Sequence, residues 1–560
     1  MKSLNVQNGF LAQVTKGHIV DVVAREVFDG EIIMNDGKIE EIRRCRFDGS
    51  RQYPYLLPGF IDSHTHIEST MMIPSEYARI AVCHGTIGVV ADSHEIGNVL
   101  GSEGVDFMIR NGREAQFNFC FGAPSCVPPV GGSIETSGAA IDADEIERLM
   151  KRGDIGFLSE MMNCPGVIGG NKEVMRKIEA ARAAGKPVDG HATGLTSEEF
   201  KRYAEAGITT NHECSTLRDG RVCIGCGMKV IIREGSAAKD YEQLRPLIDE
   251  CPDMVMFCAD DCNPDDLVRS HINGIVRRAL ADGYDLWNVL QAACLNPQKH
   301  YHLEWGLLQP GDPATFIAVD NLTPHFRVES TVVNGCEVFN YNKLPTASDV
   351  RTEIVNHFEA SPISEADIAY DIQASDTLHI IHATDGSLLT GHDEVVLTGN
   401  PLVDSRYPWD EVQKIVVLNR YDSGAKPVVG LVRGFGIKSG AIAGSVAHDC
   451  HNIVAIGLDD EALVRAVNRV IEMRGGLVVV SPDEVLDLPL PIAGLMSPMS
   501  GYEIALRNIL LHEKVRSIGS SMHSPFVTMS FMCLAVIPEL KITDKFLLDT
   551  KMMQPILRRR

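Results

Sequence analysis

The stretch Leu57-Pro58-Gly59-Phe60-Ile61-Asp62-Ser63-His64-Thr65-His66 decides the fold of this chain. An apolar run ends in two histidines separated by one residue. In a β-strand, side chains two positions apart point to the same face. His64 and His66 would therefore project together from the carboxyl end of the strand, the end at which a (β/α)8 barrel builds its active site. Two imidazoles directed at one point are half of a metal site. The pattern alone leaves open a turn with two exposed histidines, because short motifs often occur by chance.

Short β-rich runs alternate with amphipathic segments after this stretch. The β-rich runs cover residues 60–66, 86–93, 117–123, 155–161, 187–191, 208–212, 228–233 and 254–259, and helical patterns cover 171–184, 197–206 and 239–250. Such alternation predicts a parallel sheet. Eight units in roughly 250 residues are the size of a closed (β/α)8 barrel, here residues 57–304. An open doubly wound sheet is the alternative, but no GxGxxG turn follows the first strand.

The sequence on both sides of the predicted barrel is β-rich. Residues 1–56 contain the turn Asn35-Asp36-Gly37, and residues 305–345 contain Asn334-Gly335, which are both typical of tight β-hairpins. We expect these flanks to form one small β domain. Residues 346–560 carry apolar runs at 415–418, 428–432 and 477–480 and a helical pattern at 460–474, which indicates a C-terminal α/β domain.

The composition restricts the classes of partner. The chain has 560 residues, enough for about three domains, and a formal net charge of −23. Nucleic acid or an anionic membrane surface would require a basic face, so we expect neither as a partner. No apolar stretch reaches the length of a membrane span, and the N-terminus shows no secretory signal. Fifteen cysteines without such a signal predict reduced thiols in the cytoplasm.

Ligand-type side chains also follow the later predicted strands. Glu160 ends the fourth, His191 the fifth and His212 the sixth, and Asp260 and Asp261 follow the eighth. Four histidines and two carboxylates at one rim suit two divalent ions, and the two oxygens of Glu160 could serve one ion each. A water between two such ions would ionise near neutral pH. Without a thiolate the set admits zinc, manganese or iron.

These residues carry a resemblance to a known family. The chain resembles the amidohydrolase superfamily over residues 19–340 and, nearly throughout, the bacterial adenine deaminases. The superfamily motifs are PGFIDSHTHIE at 58–68, the histidines after strands five and six, the aspartate after strand eight and the stretch from Asn296-Pro297 to Gly311-Asp312; the deaminase motifs are VADSHEIGN at 90–98, SEMMN at 159–163, GHATG at 190–194, SVAHDCHN at 445–452 and the segments 434–445 and 488–494.

The resemblance implies hydrolysis of adenine to hypoxanthine and ammonia by a metal-activated hydroxide that attacks C6 of the purine. It implies two divalent ions per chain, Mn2+ foremost and Fe2+ or Zn2+ as alternatives, and a homodimer. The implied metal ligands are His64, His66, Glu160, His191, His212 and Asp260; the implied catalytic residues are Asp260, Glu95 and His94, and the implied substrate contacts are Asp92, Glu95 and Asp261. Asp261 remains the alternative to Asp260 as a ligand.

Four alternatives stay open at this point. The same metals could hydrolyse an amide or a cyclic imide, and a barrel of this type could have become a binding module. Asp92 or Ser93 could serve as the N-cap of a helix and have no role in the active site. His448, Asp449 and His451 could bind a metal, close over the active site, or lie in a surface loop.

Overall fold

A computed structural model of the protein describes residues 13–343, 352–373 and 376–556. Its first element is a mixed sheet of four strands: β1 Gln13–Asp21, β2 Glu26–Asn35, β3 Lys38–Arg44 and β4 Tyr55–Leu57. Strands β1, β2 and β3 are antiparallel to their neighbours, and β4 runs parallel to β1. Strands β2 and β3 form the hairpin that the Asn-Asp-Gly turn predicts, and Asp36 and Gly37 both have the positive φ angles, 49° and 73°, that such a turn requires.

The central element is the predicted (β/α)8 barrel. Its parallel strands are β5 Phe60–His66, β6 Thr86–Ala91, β7 Asn118–Ala123, β8 Phe157–Met161, β9 Val188–Gly190, β10 Thr210–Asn211, β11 Lys229–Arg233, and the eighth strand in two parts, β12 Val255–Cys258 and β13 Asp260–Asp261. The N–H of Thr209 donates to Val188 O (2.8 Å) between the fifth and sixth strands. Asp260 pairs with Thr65 and closes the ring. The open-sheet alternative is therefore wrong.

Helices follow the barrel strands on the outside. They are α1 Pro74–Ala81, α2 His94–Leu100, α3 Ser102–Gly112, α4 Ala143–Met150, α5 Cys164–Ile168, α6 Lys172–Ala183, α7 Ser197–Glu205, α8 Leu217–Gly225, α9 Tyr241–Leu244, α10 Leu247–Glu250, α11 Pro264–Arg269, α12 Ile272–Ala281, α13 Leu286–Leu290 and α14 Asn296–His300. Two of the three predicted helical segments are single helices. The third, 239–250, is divided into α9 and α10, because Pro246 between them has no N–H to continue the helical ladder.

The chain then returns to the first sheet. Strands β14 Phe316–Val319, β15 Val328–Val333 and β16 Cys336–Asn340 extend it to seven strands in the order β16-β15-β14-β4-β1-β2-β3. Asn334 and Gly335 form the second tight turn, again with positive φ angles of 50° and 78°. The two β-rich flanks of the barrel thus share one sheet.

The C-terminal part is a mixed α/β unit. Its elements are β17 Thr377–His382, β18 Gly391–Val396, α15 Pro401–Asp404, β19 Val412–Leu418, β20 Val428–Arg433, β21 Ala441–Gly444, β22 Ile453–Gly457, α16 Asp460–Met473, β23 Gly476–Val480, β24 Val485–Pro489, α17 Gly501–Ser517, α18 Pro525–Ser530, β25 Leu540–Ile542, β26 Leu547–Asp549 and β27 Gln554–Pro555. An eight-stranded sheet has the order β18-β17-β20-β19-β22-β21-β23-β24, and β25, β26 and β27 form a separate three-stranded sheet.

This C-terminal unit packs against the barrel. The N–H of Gly501, at the start of α17, donates to Glu76 of α1 (3.1 Å), and the Asn508 amide donates to Asp265 of α11 (3.0 Å). The loops at 386–389, 447–451 and 531–538 consequently lie over the carboxyl ends of the barrel strands. Within the described ranges, no helix is both long and apolar enough to cross a membrane.

Candidate active site

The two histidines of the opening stretch lie beside one aspartate. His64 and His66 project from the fully buried strand β5. Their Nε2 atoms lie 3.4 and 3.2 Å from Oδ1 of Asp260, at the carboxyl end of the eighth barrel strand. Asp62 supports both segments, because its carboxylate accepts the N–H groups of His64 (3.3 Å) and of Ala259 (3.0 Å). The first and the eighth strand are therefore tied together directly below these side chains.

Glu160 occupies the centre of the histidine cluster. Its Oε2 lies 2.7 Å from His191 Nδ1 and 3.0 Å from His212 Nε2. Its Oε1 faces the other side, 3.6 Å from His66 Nε2 and 3.4 Å from His94 Nδ1. Each oxygen of one carboxylate thus faces a different group of imidazoles. This is the arrangement that a carboxylate shared by two cations requires.

The donor atoms fit divalent cations. Several groups of three or four ligand atoms lie within 4.8 Å of one another, among them those of His64, His66 and Asp260, and those of His64, Glu160 and His212. Both ring nitrogens of His64 are buried without a hydrogen-bond partner, although buried polar atoms in proteins are nearly always paired. Buried imidazole and carboxylate donors with unpaired nitrogens are the donor set expected of a transition-metal site.

The segment after β6 brings three further predicted residues to the cluster. The carboxylate of Asp92 accepts the N–H groups of His94 (3.0 Å) and of Glu160 (3.2 Å), so it holds the start of α2 and the end of β8 in place. Ser93 caps no helical N–H through its side chain. Asp92 does not line the cavity, whereas His94 and Glu95 do.

A buried arginine that the sequence reasoning missed organises the opposite side. Arg233, at the end of β11, donates to Asp260 Oδ2 (2.9 Å) and Asp240 Oδ2 (2.9 Å) and also pairs with Glu213. Burial raises the pKa of Asp260, but His64, His66 and Arg233 outweigh it and hold that pKa well below its usual range. Glu213 follows strand six and Arg233 ends strand seven. The inspection of strand ends that identified His212 could therefore also have identified these two residues.

Asp261 differs from its neighbour. Its carboxylate accepts a hydrogen bond from the Ser69 hydroxyl (2.5 Å), and it lines the cavity without facing the two histidines of β5. Burial and the adjacent charge of Asp260 raise its pKa. Asp260 is therefore the aspartate that the fold places among the imidazoles.

The C-terminal unit forms the roof of the cavity. Leu388, Phe531, Leu534 and Ile537 supply apolar walls, and His448 and Asp449 supply polar ones. His448, Asp449 and His451 are all buried, so the surface-loop interpretation of this segment is wrong. A cleft of about 810 Å³ shares His191, Glu213 and Leu388 with the cavity and runs between the barrel loops and the loops at 386–389 and 536–538.

The barrel with this strand-end cluster defines a class, the metal-dependent hydrolases of the amidohydrolase family. The model of the amidohydrolase family matches residues 55–338, and that of the adenine deaminase C-terminal domain matches residues 387–554. An adenine deaminase of Sulfurovum sp. is 48% identical over 535 residues, which are 95% of this chain and 97% of the relative. The adenine deaminase of Salinibacter ruber is 47% identical over 538 residues, which are 95% of this chain and 96% of the relative. That of Methanosarcina mazei is 44% identical over 549 residues, which are 95% of this chain and 97% of the relative. The chain belongs to the adenine deaminase family.

Proposed function

We propose that this protein catalyses the hydrolysis of adenine to hypoxanthine and ammonia with two divalent cations per chain. Membership of the adenine deaminase family supports the reaction. The observation that carries the proposal for two cations is the position of Glu160, whose Oε1 faces His66 and whose Oε2 faces His191 and His212. The residues that would hold the cations are His64, His66, Glu160, His191, His212 and Asp260. We propose Mn2+ first, with Fe2+ or Zn2+ as substitutes that the same nitrogen and oxygen donors accept.

When bound, such cations lower the pKa of water, so that a hydroxide nucleophile for C6 of the purine is available near neutral pH. Asp260 is placed to accept the proton that this water loses. Its Oδ1 faces the histidines of β5, and its Oδ2 is fixed by the guanidinium of Arg233. The low pKa keeps the Asp260 carboxylate ionised, which is the protonation state that a proton acceptor requires.

His94 is placed to donate a proton to a ring nitrogen. Burial lowers its pKa, but the charges of Asp92 and Glu95 outweigh burial and hold that pKa well above its usual range. A protonated His94 at the cavity wall can neutralise the charge that develops on the purine ring when C6 is attacked. The exocyclic amine leaves as ammonia once it is protonated.

The remaining wall residues suit a purine. Glu95 as an anion accepts hydrogen bonds only, so it selects N–H groups of the substrate. Asp261 also lines the cavity, where its carboxylate oxygens can accept hydrogen bonds from N–H groups of the purine. Met162, Leu388 and Phe531 supply apolar surface for the faces of the ring. In this proposal Asp92 supports His94 and Glu160 and does not touch the substrate.

The full-length chain loaded with Mn2+ tests the proposal. With adenine we expect equimolar release of ammonia and hypoxanthine, followed by a coupled ammonia assay and by the change in purine absorbance. A dihydropyrimidine and a simple amide serve as competing substrates, because the same cations could hydrolyse them. Absence of ammonia release from adenine with either Mn2+ or Zn2+ bound, together with turnover of a competing substrate, would overturn the deaminase assignment.

The proposal also includes a homodimer in the cytoplasm that binds neither nucleic acid nor membrane. The formal charge of −23 disfavours anionic partners, and each of the 15 cysteines is a free thiol. Sedimentation of the metal-loaded protein at twice the chain mass of 61.3 kDa would agree with the dimer.

A further inference from the structure

One buried loop of the C-terminal unit reaches into the catalytic barrel. The chain between β21 and β22 carries His448 and His451, and both imidazoles lie against the carboxylate of Glu95 at the start of α2. Glu95 is 2% exposed and His451 is fully buried. The contact therefore joins two parts of the fold that lie about 350 residues apart in the sequence.

The two imidazoles clamp the two oxygens of this one carboxylate. His448 Nδ1 lies 2.8 Å from Glu95 Oε1, and His451 Nε2 is in close contact with Glu95 Oε2. The two rings lie 5.7 Å apart at 62° to each other, one on either oxygen. With an imidazole against each oxygen, the carboxylate has little room to rotate about its terminal bond or to turn away from the cavity.

The C-terminal unit also fixes the orientation of both rings. The N–H of Ala447 donates to Nδ1 of His451 (3.4 Å), which makes that nitrogen an acceptor and leaves the ring proton on Nε2, the atom that faces Glu95. The ring of His448 stacks on Phe531, with centroids 4.5 Å apart and planes at 19°. Each imidazole is thus oriented by contacts within the C-terminal unit as well as by Glu95.

We propose that His448 and His451 are positioning residues for the deamination: they hold Glu95 as an oriented anion against the substrate, so that the active site is complete only when the C-terminal unit is docked. This inference rests on the proposed function. Alone in this buried place, the carboxylate would tend to take up a proton and lose its preference for N–H donors. Burial indeed raises the pKa of Glu95, but the two histidines outweigh it and keep that pKa well below its usual range.

A third cation is the competing explanation of the same cluster. Ligand atoms of His94, Glu95 and Asp449 also lie within 4.8 Å of one another, and Asp449 Oδ2 is buried without a hydrogen-bond partner. The contacts of Glu95 favour positioning, because each of its oxygens already faces an imidazole of the C-terminal unit, His448 at Oε1 and His451 at Oε2. Metal analysis separates the two explanations.

The test compares variants that keep or remove the N–H donor. His451→Gln retains a donor near the position of Nε2, and His451→Leu removes it; His448→Asn and His448→Leu form the same pair for Nδ1. We expect each leucine variant to lose about 10²-fold in kcat for adenine while two Mn2+ ions per chain remain bound, and the amide variants to recover most of that loss. His325→Leu, in an exposed loop of the first sheet, is the matched control and should behave as the wild type.

A double-mutant cycle distinguishes positioning from a general effect on folding. In a Glu95→Gln background, His451→Leu should cause no further loss, because its effect acts through Glu95. Additive losses would overturn the inference, as would leucine variants as active as the wild type or loss of a third bound ion. Wild-type protein inactive on adenine would instead overturn the proposed function itself.

Discussion

The replacement of Glu160 by glutamine tests the central feature of the site. The side chain keeps its shape, but one of its two oxygens becomes an NH2 group that cannot bind a cation. Oε2 lies 2.7 and 3.0 Å from nitrogens of His191 and His212, and Oε1 lies 3.6 and 3.4 Å from nitrogens of His66 and His94. Whichever oxygen is lost, one of the two groups of imidazoles loses its anionic partner.

The expected loss of metal affinity in Glu160→Gln can be judged from the effect of milder substitutions near metal sites. Loss of a residue that only supports a metal ligand typically lowers metal affinity by about 10- to 100-fold. Loss of a direct anionic ligand should exceed that range, so we expect at least about 100-fold weaker binding of one ion, or about 2.7 kcal/mol. Turnover of adenine should fall by at least about 10³-fold, because the nucleophile depends on both ions. Each chain should keep one tightly bound ion.

Metal content is measured by plasma mass spectrometry after gel filtration in metal-free buffer, and activity by ammonia release. Circular dichroism verifies that the variant is folded. Glu198→Gln, at an exposed position of α7, is the matched control and should keep both ions and full activity. If Glu160→Gln binds two ions with unchanged affinity and turns over adenine at the wild-type rate, then the assignment of Glu160 as the shared ligand is refuted.

Three further outcomes follow from the structure. Arg233→Met should lower the free energy of unfolding by about 3–5 kcal/mol, because it leaves the buried carboxylates of Asp260, Glu213 and Asp240 without the guanidinium that pairs with all three. Denaturant unfolding measures this loss, and an unchanged free energy of unfolding would contradict it. Burial lowers the pKa of Lys541 to about 7, so the folded protein binds fewer protons than the unfolded chain between pH 7 and about 10 and its stability should rise with pH in that window. Calorimetry of Lys541→Met should show a flatter pH dependence there, and an unchanged slope would contradict the assignment. Removal of the cations by a chelator should lower Tm, and addition of Mn2+ should restore it. A Tm that changes with neither treatment would argue against cations in the buried cluster.

Regular patterns in the sequence were sufficient to predict the barrel. Strands alternate with helices, and the strand period of two places the histidines of HxH on one face. The hairpin turns follow from the local preference of Asn, Asp and Gly for positive φ angles. Boundaries were less accurate, since a run at 208–212 predicts five residues for a strand that spans only Thr210–Asn211. The division of 239–250 into two helices depended on one proline, which the periodicity does not register.

Histidine and carboxylate residues at the ends of predicted strands identified the candidate metal cluster, because the carboxyl ends of parallel barrel strands all lie at one rim. The tertiary structure alone decided which atoms of those residues meet. It directs Asp260 rather than Asp261 toward the two histidines of β5, and it directs Asp92 toward backbone N–H groups behind the cavity.

The sequence by itself therefore determined the fold class, the rim at which the site lies and the donor types in it, since all three follow from local periodicity and residue chemistry. Only the tertiary structure decided that Arg233 bridges three carboxylates and that His448 and His451 reach Glu95 from the C-terminal unit. Those contacts depend on how the barrel and the C-terminal unit pack against each other, and no local pattern records the distance between residues far apart in the chain. The His64-Thr65-His66 motif marks the site, and the docking of the C-terminal unit completes it.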